Sequence, residues 1–129
     1  MSEQNKYSIL LVEDEPINRK VLQFMLDNIN CNYDTATTGN EAVTLALKNT
    51  YDIIFMDIQL PDISGVNVTE KLRIAGITTP IIATTAHALP DEKRTFIAAG
   101  MNDVLAKPFR QQQISEIIEK WLQSSESIN

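Results

Sequence analysis

Three acidic side chains in this sequence come directly after runs of apolar residues. Glu13 and Asp14 follow the run at residues 9–12, and Asp57 follows the run at residues 53–56. Carboxylate oxygens are hard ligands that suit a cation such as Mg²⁺, and an aspartate can also act as a nucleophile toward a phosphoryl group. If the two runs are neighbouring strands, about 4.8 Å apart, Asp14 and Asp57 could share one cation.

A hydroxyl and an amine end two later apolar segments in the same manner. Thr85 comes after the run at residues 80–84, and Lys107 comes after the run at residues 103–106. Lys107 would lie two strands from Asp57, roughly 10 Å away, and a lysine stem can cross that gap. Thr85 would lie on the strand between them. A carboxylate, a metal ion, an ammonium and a hydroxyl together describe a site for phosphoryl transfer.

The spacing of the apolar residues predicts the elements that must position these side chains. Short apolar runs indicate strands, and stripes with a helical period indicate helices. The predicted strands lie at residues 9–12, 33–36, 53–56, 80–84 and 103–106. The predicted helices lie at residues 16–28 and 39–48, from about 65 to 75, from 90 to 99, and along a stripe at residues 114–122. Pro16 and Pro90 suit the first turn of a helix, and Gly100 suits a helix end.

The first helix carries an apolar stripe that repeats every four residues. This spacing favours a helix at about residues 16–28, and apolar neighbours widen the stripe. The stripe consists of Ile17, Val21, Met25 and Ile29, and the neighbours are Leu22, Phe24 and Leu26.

The alternation of five strands with five helices predicts an α/β fold with a parallel sheet. Right-handed crossovers place helices on both faces of such a sheet. Ligands then bind beyond the carboxyl ends of the strands, where the strand order reverses. That edge is where the acidic, hydroxyl and lysine side chains are predicted to meet.

Composition narrows the classes of function. The 129 residues fit one domain, and the net charge of −6 argues against binding nucleic acid, which needs clustered basic residues. The single cysteine, Cys31, excludes an internal disulfide and fits a reducing compartment. The sequence has neither the apolar core of a signal peptide nor a run of roughly 20 apolar residues that could span a membrane. We therefore expect a cytoplasmic domain.

Several segments resemble those of one family. LVEDEP at residues 11–16, MDIQLP at 56–61 and KPF at 107–109 closely resemble receiver domains of two-component systems, and ATTAHA at 83–88 fits the same pattern. The likeness runs from about residue 8 to 122 and is strongest to receivers of hybrid histidine kinases. It implies a flavodoxin-like (βα)5 fold, a doubly wound parallel sheet with strand order 2-1-3-4-5. Residues 1–129 would then be a single receiver domain, with a polar tail at 123–129.

The resemblance also assigns roles. Asp57 matches the phosphoacceptor, and Glu13 and Asp14 match the acidic pair, in which the second residue binds Mg²⁺ directly and the first acts through water. Gln59 would give its backbone carbonyl to the metal ion. The domain would not be a conventional enzyme, since it catalyses only its own aspartyl phosphorylation and dephosphorylation.

Further positions match the family on the opposite side of the site. Thr85 matches the switch hydroxyl, and Lys107 matches the invariant lysine, with Pro108 after a cis bond. The phosphoryl donor would be a phosphohistidine on a histidine kinase or a histidine phosphotransfer domain. Val104 departs from the pattern, because receivers usually carry an aromatic residue there. We expect a weaker or different conformational output from this change, without loss of phosphorylation.

Other interpretations compete with this one. Taken alone, the acidic run at residues 13–15, which ends in Glu15, could be a helix cap. Asp57 could be a turn residue, Thr85 a strand-end hydroxyl with local backbone bonds, and Lys107 a solvated surface side chain. An aspartyl-phosphate phosphatase of the haloacid dehalogenase class would carry a second aspartate where this chain has Gln59, and no P-loop motif occurs. A pseudo-receiver that binds partners without phosphorylation is a third alternative. The sequence fits both a single-domain regulator and a piece of a hybrid kinase, and a homodimer through the fourth helix and fifth strand is a further alternative.

Overall fold

A computed structural model describes residues 7–123 of the chain. The strands are β1 (Ser8–Val12), β2 (Asn32–Ala36), β3 (Ile53–Asp57), β4 (Ile81–Thr85) and β5 (Asp103–Ala106). The helices are α1 (Pro16–Asn28), α2 (Gly39–Lys48), α3 (Gly65–Ile74), α4 (Pro90–Ala99) and α5 (Gln111–Ile118), and a π-helical turn (Glu119–Gln123) continues α5. The predicted strands and helices are confirmed in order, and no strand end differs by more than one residue. Of the predicted tail, Gln123 ends the π-helical turn, and residues 124–129 lie outside the described residues.

The five strands form one parallel sheet with the predicted order β2-β1-β3-β4-β5. The chain runs from β1 outward to β2 and then returns to the other side of β1 to form β3. The strand order therefore reverses between β1 and β3, where ligands bind in folds of this class. We call the edge at the carboxyl ends of the strands the carboxyl edge, and the opposite one the amino edge.

The sheet is buried on both faces, as the apolar strand runs predicted. Successive side chains of a strand point to opposite faces. Leu10 and Ile54 pack with buried residues of α2, α3 and α4. Leu11 and Phe55 pack on the other face with buried residues of α1 and α5. This alternation decides which strand-end side chains share a face at the carboxyl edge.

The buried face of α1 does not coincide with the apolar stripe that repeats every four residues. Only Leu22 and Leu26 are buried on this helix, while Ile17, Val21 and Phe24 are 70%, 42% and 65% exposed. A spacing of four residues drifts around a helix by about 40° at each step, so a stripe of that period cannot stay on one face. The helix also carries more apolar side chains than its contact with the sheet can cover. The result is an exposed apolar strip that begins beside the carboxyl edge.

At the amino edge, the Arg73 guanidinium near the end of α3 joins several loops. Its Nε donates to the Gly100 carbonyl at 3.0 Å, and its Nη1 donates to the carbonyls of Ile77 and Thr79 at 2.8 and 2.9 Å. Its Nη2 donates to Gly100 again at 2.8 Å and to Oδ1 of Asn102 at 2.9 Å. Burial lowers the pKa of Arg73. These groups form the Arg73 cluster, in which all five guanidinium donors have an acceptor.

Asp103, the first residue of β5, ties the same edge to the end of the chain's last helix. Its Oδ2 accepts hydrogen bonds from Nε1 of Trp121 and Nζ of Lys120, both at 2.9 Å, and its Oδ1 accepts from the Val104 amide. Burial alone would raise the pKa of Asp103, but the hydrogen bonds from Trp121 and Lys120 outweigh burial and lower the pKa. The π-helical turn is what brings Trp121 around to β5.

Candidate functional site

Every residue that the sequence predicted for the site lies at the carboxyl edge. Asp57 and Thr85 are the last residues of β3 and β4, and Lys107 follows β5. A cleft of about 440 Å³ opens there. Its lining includes all six predicted side chains, namely Glu13, Asp14, Asp57, Gln59, Thr85 and Lys107. We call this space the acidic cleft.

Three carboxylates converge in the acidic cleft. Glu13, Asp14 and Asp57 each offer an oxygen, and these oxygens all lie within 4.8 Å of one another. Glu13 and Asp57 are buried at 1% and 4% exposure, while Asp14 is half-buried. Buried like charges repel, so the arrangement is unfavourable unless cations neutralise it. A donor set made only of oxygens fits a hard divalent cation such as Mg²⁺.

Lys107 supplies a positive charge to the cleft. Its Nζ donates to Oε1 of Glu13 at 2.9 Å and to Oδ1 of Asp57 at 3.2 Å. The predicted crossing from β5 to β3 is therefore present, and the Lys107–Pro108 peptide bond is cis, as the resemblance implied. The second oxygen of Glu13 accepts from the Glu15 amide at 3.1 Å, so Glu13 is held at both ends. In this structure Glu13 is a direct partner of Lys107, a contact that the sequence did not predict.

The charges in the cleft shift the ionisation of its groups. Burial raises the pKa of Asp57, the Glu13 carboxylate raises it further, and Lys107 opposes both, which leaves a pKa of about 6. Burial would lower the pKa of Lys107, but its hydrogen bond to Glu13 and the charges of both carboxylates raise it. The amine therefore stays an ammonium at neutral pH, while Asp57 gives up its proton less readily than an ordinary aspartate.

The loop that follows β3 fixes the position of the Asp57 carboxylate. The Gln59 amide donates to Oδ1 of Asp57 at 3.2 Å, and the Gly65 amide donates to the Ile58 carbonyl at 2.8 Å. A Cβ at Gly65 would lie 2.3 Å from the Asp57 carbonyl oxygen, so only glycine allows α3 to begin there. This close approach of Gly65 to Asp57 could not be predicted from the sequence.

Asp62 anchors the same loop to α2, which the sequence also did not indicate. Its two carboxylate oxygens accept from the amides of Gly39 and Asn40, both at 2.8 Å, at the start of α2. These backbone hydrogen bonds lower the pKa of Asp62. A carboxylate at a helix N-terminus is a favourable arrangement, and here it fixes the segment that follows Asp57.

Three further residues, Thr85, Glu15 and Val104, make contacts with their neighbours in the structure. Oγ1 of Thr85 accepts a hydrogen bond from the His87 amide at 3.0 Å, and the His87 side chain is exposed. Glu15, the third acid of its run, does act as a helix cap, since Oε1 accepts from the Asn18 amide at 2.8 Å. Val104 is half-buried against the core that includes α4.

Comparison with known proteins agrees with this geometry. Residues 9–119 match the family model described as the response regulator receiver domain. The chain is 36% identical over 108 residues to the sensor histidine kinase RcsC of Escherichia coli strain K12, and 39% identical over 116 residues to two-component system protein A of Emericella nidulans. These matches cover 84% and 88% of this chain but only 11% and 17% of the relatives, so the chain spans less than a fifth of their length.

Two solved structures share the fold closely. The receiver domain of sensor histidine kinase PA1611 from Pseudomonas aeruginosa PAO1, with a magnesium ion in its active site cleft, has a TM-score of 0.83 and 39% identity. That match covers 89% of this chain and 96% of that one. The receiver domain of Ssk1, in complex with the histidine phosphotransfer protein Ypd1 of Saccharomyces cerevisiae, is similar at a TM-score of 0.84 and 32% identity, covering 92% and 90% of the two chains. Within residues 7–123, none of the helices has the length and apolar character needed to cross a membrane.

Proposed function

Because this chain belongs to the family of response regulator receiver domains, we propose that Asp57 accepts a phosphoryl group from a phosphohistidine in two-component or phosphorelay signalling. The observation that carries the proposal is the acidic cleft itself. A buried aspartate lies within 4.8 Å of two further carboxylates and 3.2 Å from a lysine ammonium. Three carboxylates around one ammonium repel one another, so this arrangement destabilises the free protein unless a further cation offsets the charge.

Each residue has a defined part in the proposed reaction. One Asp57 oxygen attacks phosphorus and forms the new O–P bond, while the P–N bond of the phosphohistidine breaks and its electron pair returns to the imidazole. The Lys107 ammonium, already 3.2 Å from Asp57, offsets negative charge on the transferring oxygens. The Thr85 hydroxyl accepts from the His87 amide and can still donate its own proton to a phosphoryl oxygen.

Mg²⁺ fits the donor set of the cleft and belongs to the same proposal. Asp14 and Asp57 would hold the ion directly, the Gln59 carbonyl would add a backbone ligand, and Glu13 would act through water. When bound, Mg²⁺ stabilises the negative charge that develops on the transferring group. The chain's own residues keep Asp57 aimed at the cleft through the Gln59 amide and the Gly65 approach.

Labelling with acetyl phosphate tests the proposal directly. We expect the protein, incubated with acetyl phosphate and Mg²⁺, to gain the mass of one phosphoryl group in intact-mass spectrometry. Asp57→Ala and Asp57→Asn should gain none, and a chelator should abolish the gain in the wild type. The adduct should then decay by hydrolysis, since the domain is proposed to catalyse its own dephosphorylation as well.

A negative result has a definite meaning. If the folded wild type takes no phosphoryl group and also fails to bind fluoroberyllate, the phosphoacceptor function is wrong and the chain is a pseudo-receiver. An adduct that persists in Asp57→Ala would show that another residue is modified. If Val104 weakens the conformational change that follows phosphorylation, as predicted, the NMR signals of α4 and β5 will stay nearly unchanged when Asp57 is fully phosphorylated.

The exposed apolar strip on α1 supports a proposal for the surface on which the phosphodonor docks. Ile17 and Val21 are exposed on α1. Val21 lines a small, mostly apolar groove with Pro108 and Phe109, and this groove shares Asn18 and Lys107 with the acidic cleft. We propose that a histidine phosphotransfer domain or kinase packs an apolar helical face there and so brings its phosphohistidine to Asp57. Contiguous apolar side chains beside a polar site are typical of such interfaces.

Separate assays distinguish docking from chemistry. Val21→Asp should leave labelling by acetyl phosphate unchanged, because Val21 does not touch the reacting atoms. The same substitution should slow transfer from a phosphorylated histidine phosphotransfer protein by at least tenfold. Leu47→Asp, at an apolar side chain that is 57% exposed on α2, is the matched control and should slow neither reaction. Equal loss in both assays would contradict the docking proposal.

Two broader expectations complete the proposal. A cytoplasmic location is supported by the presence of a single cysteine, Cys31, which fits a reducing compartment. A homodimer would use α4 and β5. On this surface Leu89, the N-cap of α4, is 63% exposed, and Ile97 within α4 is 49% exposed. Sedimentation of the protein with and without fluoroberyllate tests the homodimer.

A further inference from the structure

Thr84, the residue before Thr85 on β4, carries a buried hydroxyl that the proposed reaction does not use. Its side chain is fully buried, and among residues 7–123 its Oγ1 is without a hydrogen-bond partner. Buried hydroxyls nearly always have partners, because leaving water without a replacement is unfavourable. Thr69, equally buried on α3, follows that rule and donates to the Gly65 carbonyl at 2.9 Å. The Thr84 oxygen could therefore accept a hydrogen bond in another state of the protein, such as the phosphorylated one.

The sheet places Thr84 beside Asp57 on the same face. The two residues are Cα partners across β3 and β4, and partners in register point their side chains to the same side of a sheet. Ile82, two residues earlier on β4, packs in the core with α1 and α5, so Thr84 faces that side as well. The hydroxyl is thus a direct neighbour of the proposed phosphoacceptor.

Lys107 has to cross β4, the strand that carries Thr84, to reach the site. The lysine starts just after β5, its ammonium lies at Asp57 on β3, and β4 is the strand between them. The stem therefore crosses β4 near its carboxyl end, on the face where Thr84 points. An ammonium has three donors, and in this structure Glu13 and Asp57 accept two of the hydrogen bonds.

We propose that Thr84 is a positioning residue whose hydroxyl accepts a hydrogen bond from the Lys107 ammonium while the phosphoryl group is transferred to Asp57, and keeps it in the phosphorylated state. Phosphorylation turns one Asp57 oxygen into an acyl phosphate oxygen, which is a poorer acceptor, and draws the ammonium toward the phosphoryl oxygens. The Thr84 oxygen then fixes the direction from which the ammonium approaches. This inference rests on the function proposed above, and it concerns Thr84 separately from the switch position at Thr85.

The test compares Thr84→Val, which has nearly the same shape without the hydroxyl, with Thr84→Ser, which keeps it. Thr84→Val should slow phosphorylation by acetyl phosphate and Mg²⁺ by about three- to tenfold, the effect of a misaimed catalytic group. Thr84→Ser should restore the rate to within about twofold of wild type, in line with a role for the hydroxyl. Thr84→Ala, which also lacks the hydroxyl, should be slowed like the valine variant. The affinity for Mg²⁺ alone should not change, because Thr84 is no proposed ligand.

A spectroscopic signature separates positioning from packing. With fluoroberyllate and Mg²⁺ bound, NMR should show slowly exchanging Lys107 ammonium protons in the wild type and Thr84→Ser, and fast exchange in Thr84→Val. Thr84→Val should melt at the same temperature or up to about 3 °C higher, because it removes an unpaired buried hydroxyl. Thr69→Val is the matched control and should melt lower, since it removes a satisfied one.

The outcomes distinguish this inference from the function beneath it. If Thr84→Val is labelled at the wild-type rate and its ammonium signal is unchanged, Thr84 is a packing residue and the inference is wrong. If the wild type itself takes no phosphoryl group, the proposed function fails and the inference fails with it.

Discussion

At the amino edge of the sheet, one guanidinium donates five hydrogen bonds to four neutral acceptors, whereas at the carboxyl edge three carboxylates face one ammonium. The acceptors of Arg73 are three main-chain carbonyls and one side-chain amide oxygen, so no like charges are brought together. In the acidic cleft, like charges are packed within 4.8 Å and the pKa of Asp57 rises to about 6. Both regions are polar and partly buried. Only the acidic cleft still has charged groups that a bound cation or phosphoryl group could satisfy.

This difference separates a polar cluster that stabilises the fold from one that binds a ligand. A satisfied network contributes to stability and leaves nothing for a ligand to use. An unsatisfied one destabilises the free protein and gains when a cation or phosphoryl group arrives. The comparison predicts opposite effects when a charge is removed from each edge.

Arg73→Met should give the largest change. It removes five hydrogen bonds and leaves the partly buried carbonyls of Thr79 and Gly100 without that donor, so the free energy of unfolding should fall by about 3 kcal/mol. Urea denaturation followed by circular dichroism measures the loss. Arg73→Lys, with three donors instead of five, should lose less. Labelling of Asp57 below the melting temperature should be unaffected, and a slowed reaction would contradict the independence of the two edges.

Gly65→Ala tests whether stability and chemistry are linked at the carboxyl edge. The added methyl group would lie 2.3 Å from the Asp57 carbonyl, so we expect a loss of about 2 kcal/mol and slower labelling of Asp57. Gly76→Ala is the control, because its Cβ meets nothing within 4 Å and only the φ of +92° is strained. That control should lose about 1 kcal/mol and keep its labelling rate. Equal rates in both variants would show that the approach of Gly65 does not position Asp57.

Asp57→Asn should stabilise the free protein by about 1–2 kcal/mol at pH 7.5. The folded-state pKa of Asp57, about 6, lies above its ordinary value of 3.8, so the folded state disfavours the ionised form. The gain of the variant should therefore be complete above pH 6 and shrink as the pH falls toward 4. Urea midpoints at pH 7.5 and 4.5 measure it. Mg²⁺ should stabilise only the wild type. If the variant is less stable than the wild type without metal, the Asp57 carboxylate does not destabilise the free protein and the contrast between the two edges is wrong.

Asp103→Asn should have a smaller effect of opposite sign. The hydrogen bonds from Trp121 and Lys120 lower the folded-state pKa of Asp103 below 3.8, so its carboxylate stabilises the fold at neutral pH. After screening by solvent, the loss in the variant should be about 0.5 kcal/mol at pH 7. The difference should disappear as the pH falls through the folded-state pKa. Urea denaturation at pH 7 and pH 3 is the measurement, and a loss that grows toward low pH would contradict it.

The elements and the strand-end residues could be predicted because they depend on local patterns. Apolar runs, helix-start prolines and a regular alternation are enough to place Asp57, Thr85 and Lys107 at one edge of a parallel sheet. The family resemblance then added the strand order and the roles.

The features that could not be predicted depend on partners far along the chain. Arg73 looks like an ordinary basic residue in the last turn of a helix, and its acceptors come from two later loops. The anchor between Asp62 and α2 joins residues more than 20 positions apart. The buried face of α1 could not be predicted either, because a stripe indicates a helix but packing decides which side of the helix is buried. Val21 therefore lies in the exposed apolar strip on α1 and outside the core.

The π-helical turn after α5 also has an optical consequence. It turns the chain's only tryptophan toward β5, where the Trp121 indole donates to Asp103 at the edge opposite Asp57. Ions bound at the cleft cannot quench an indole on the far side of the sheet by contact. Any change in Trp121 fluorescence on phosphorylation would therefore report a shift between β5 and α5. The strand that carries Val104 in place of the usual aromatic ring thus has its own built-in fluorophore.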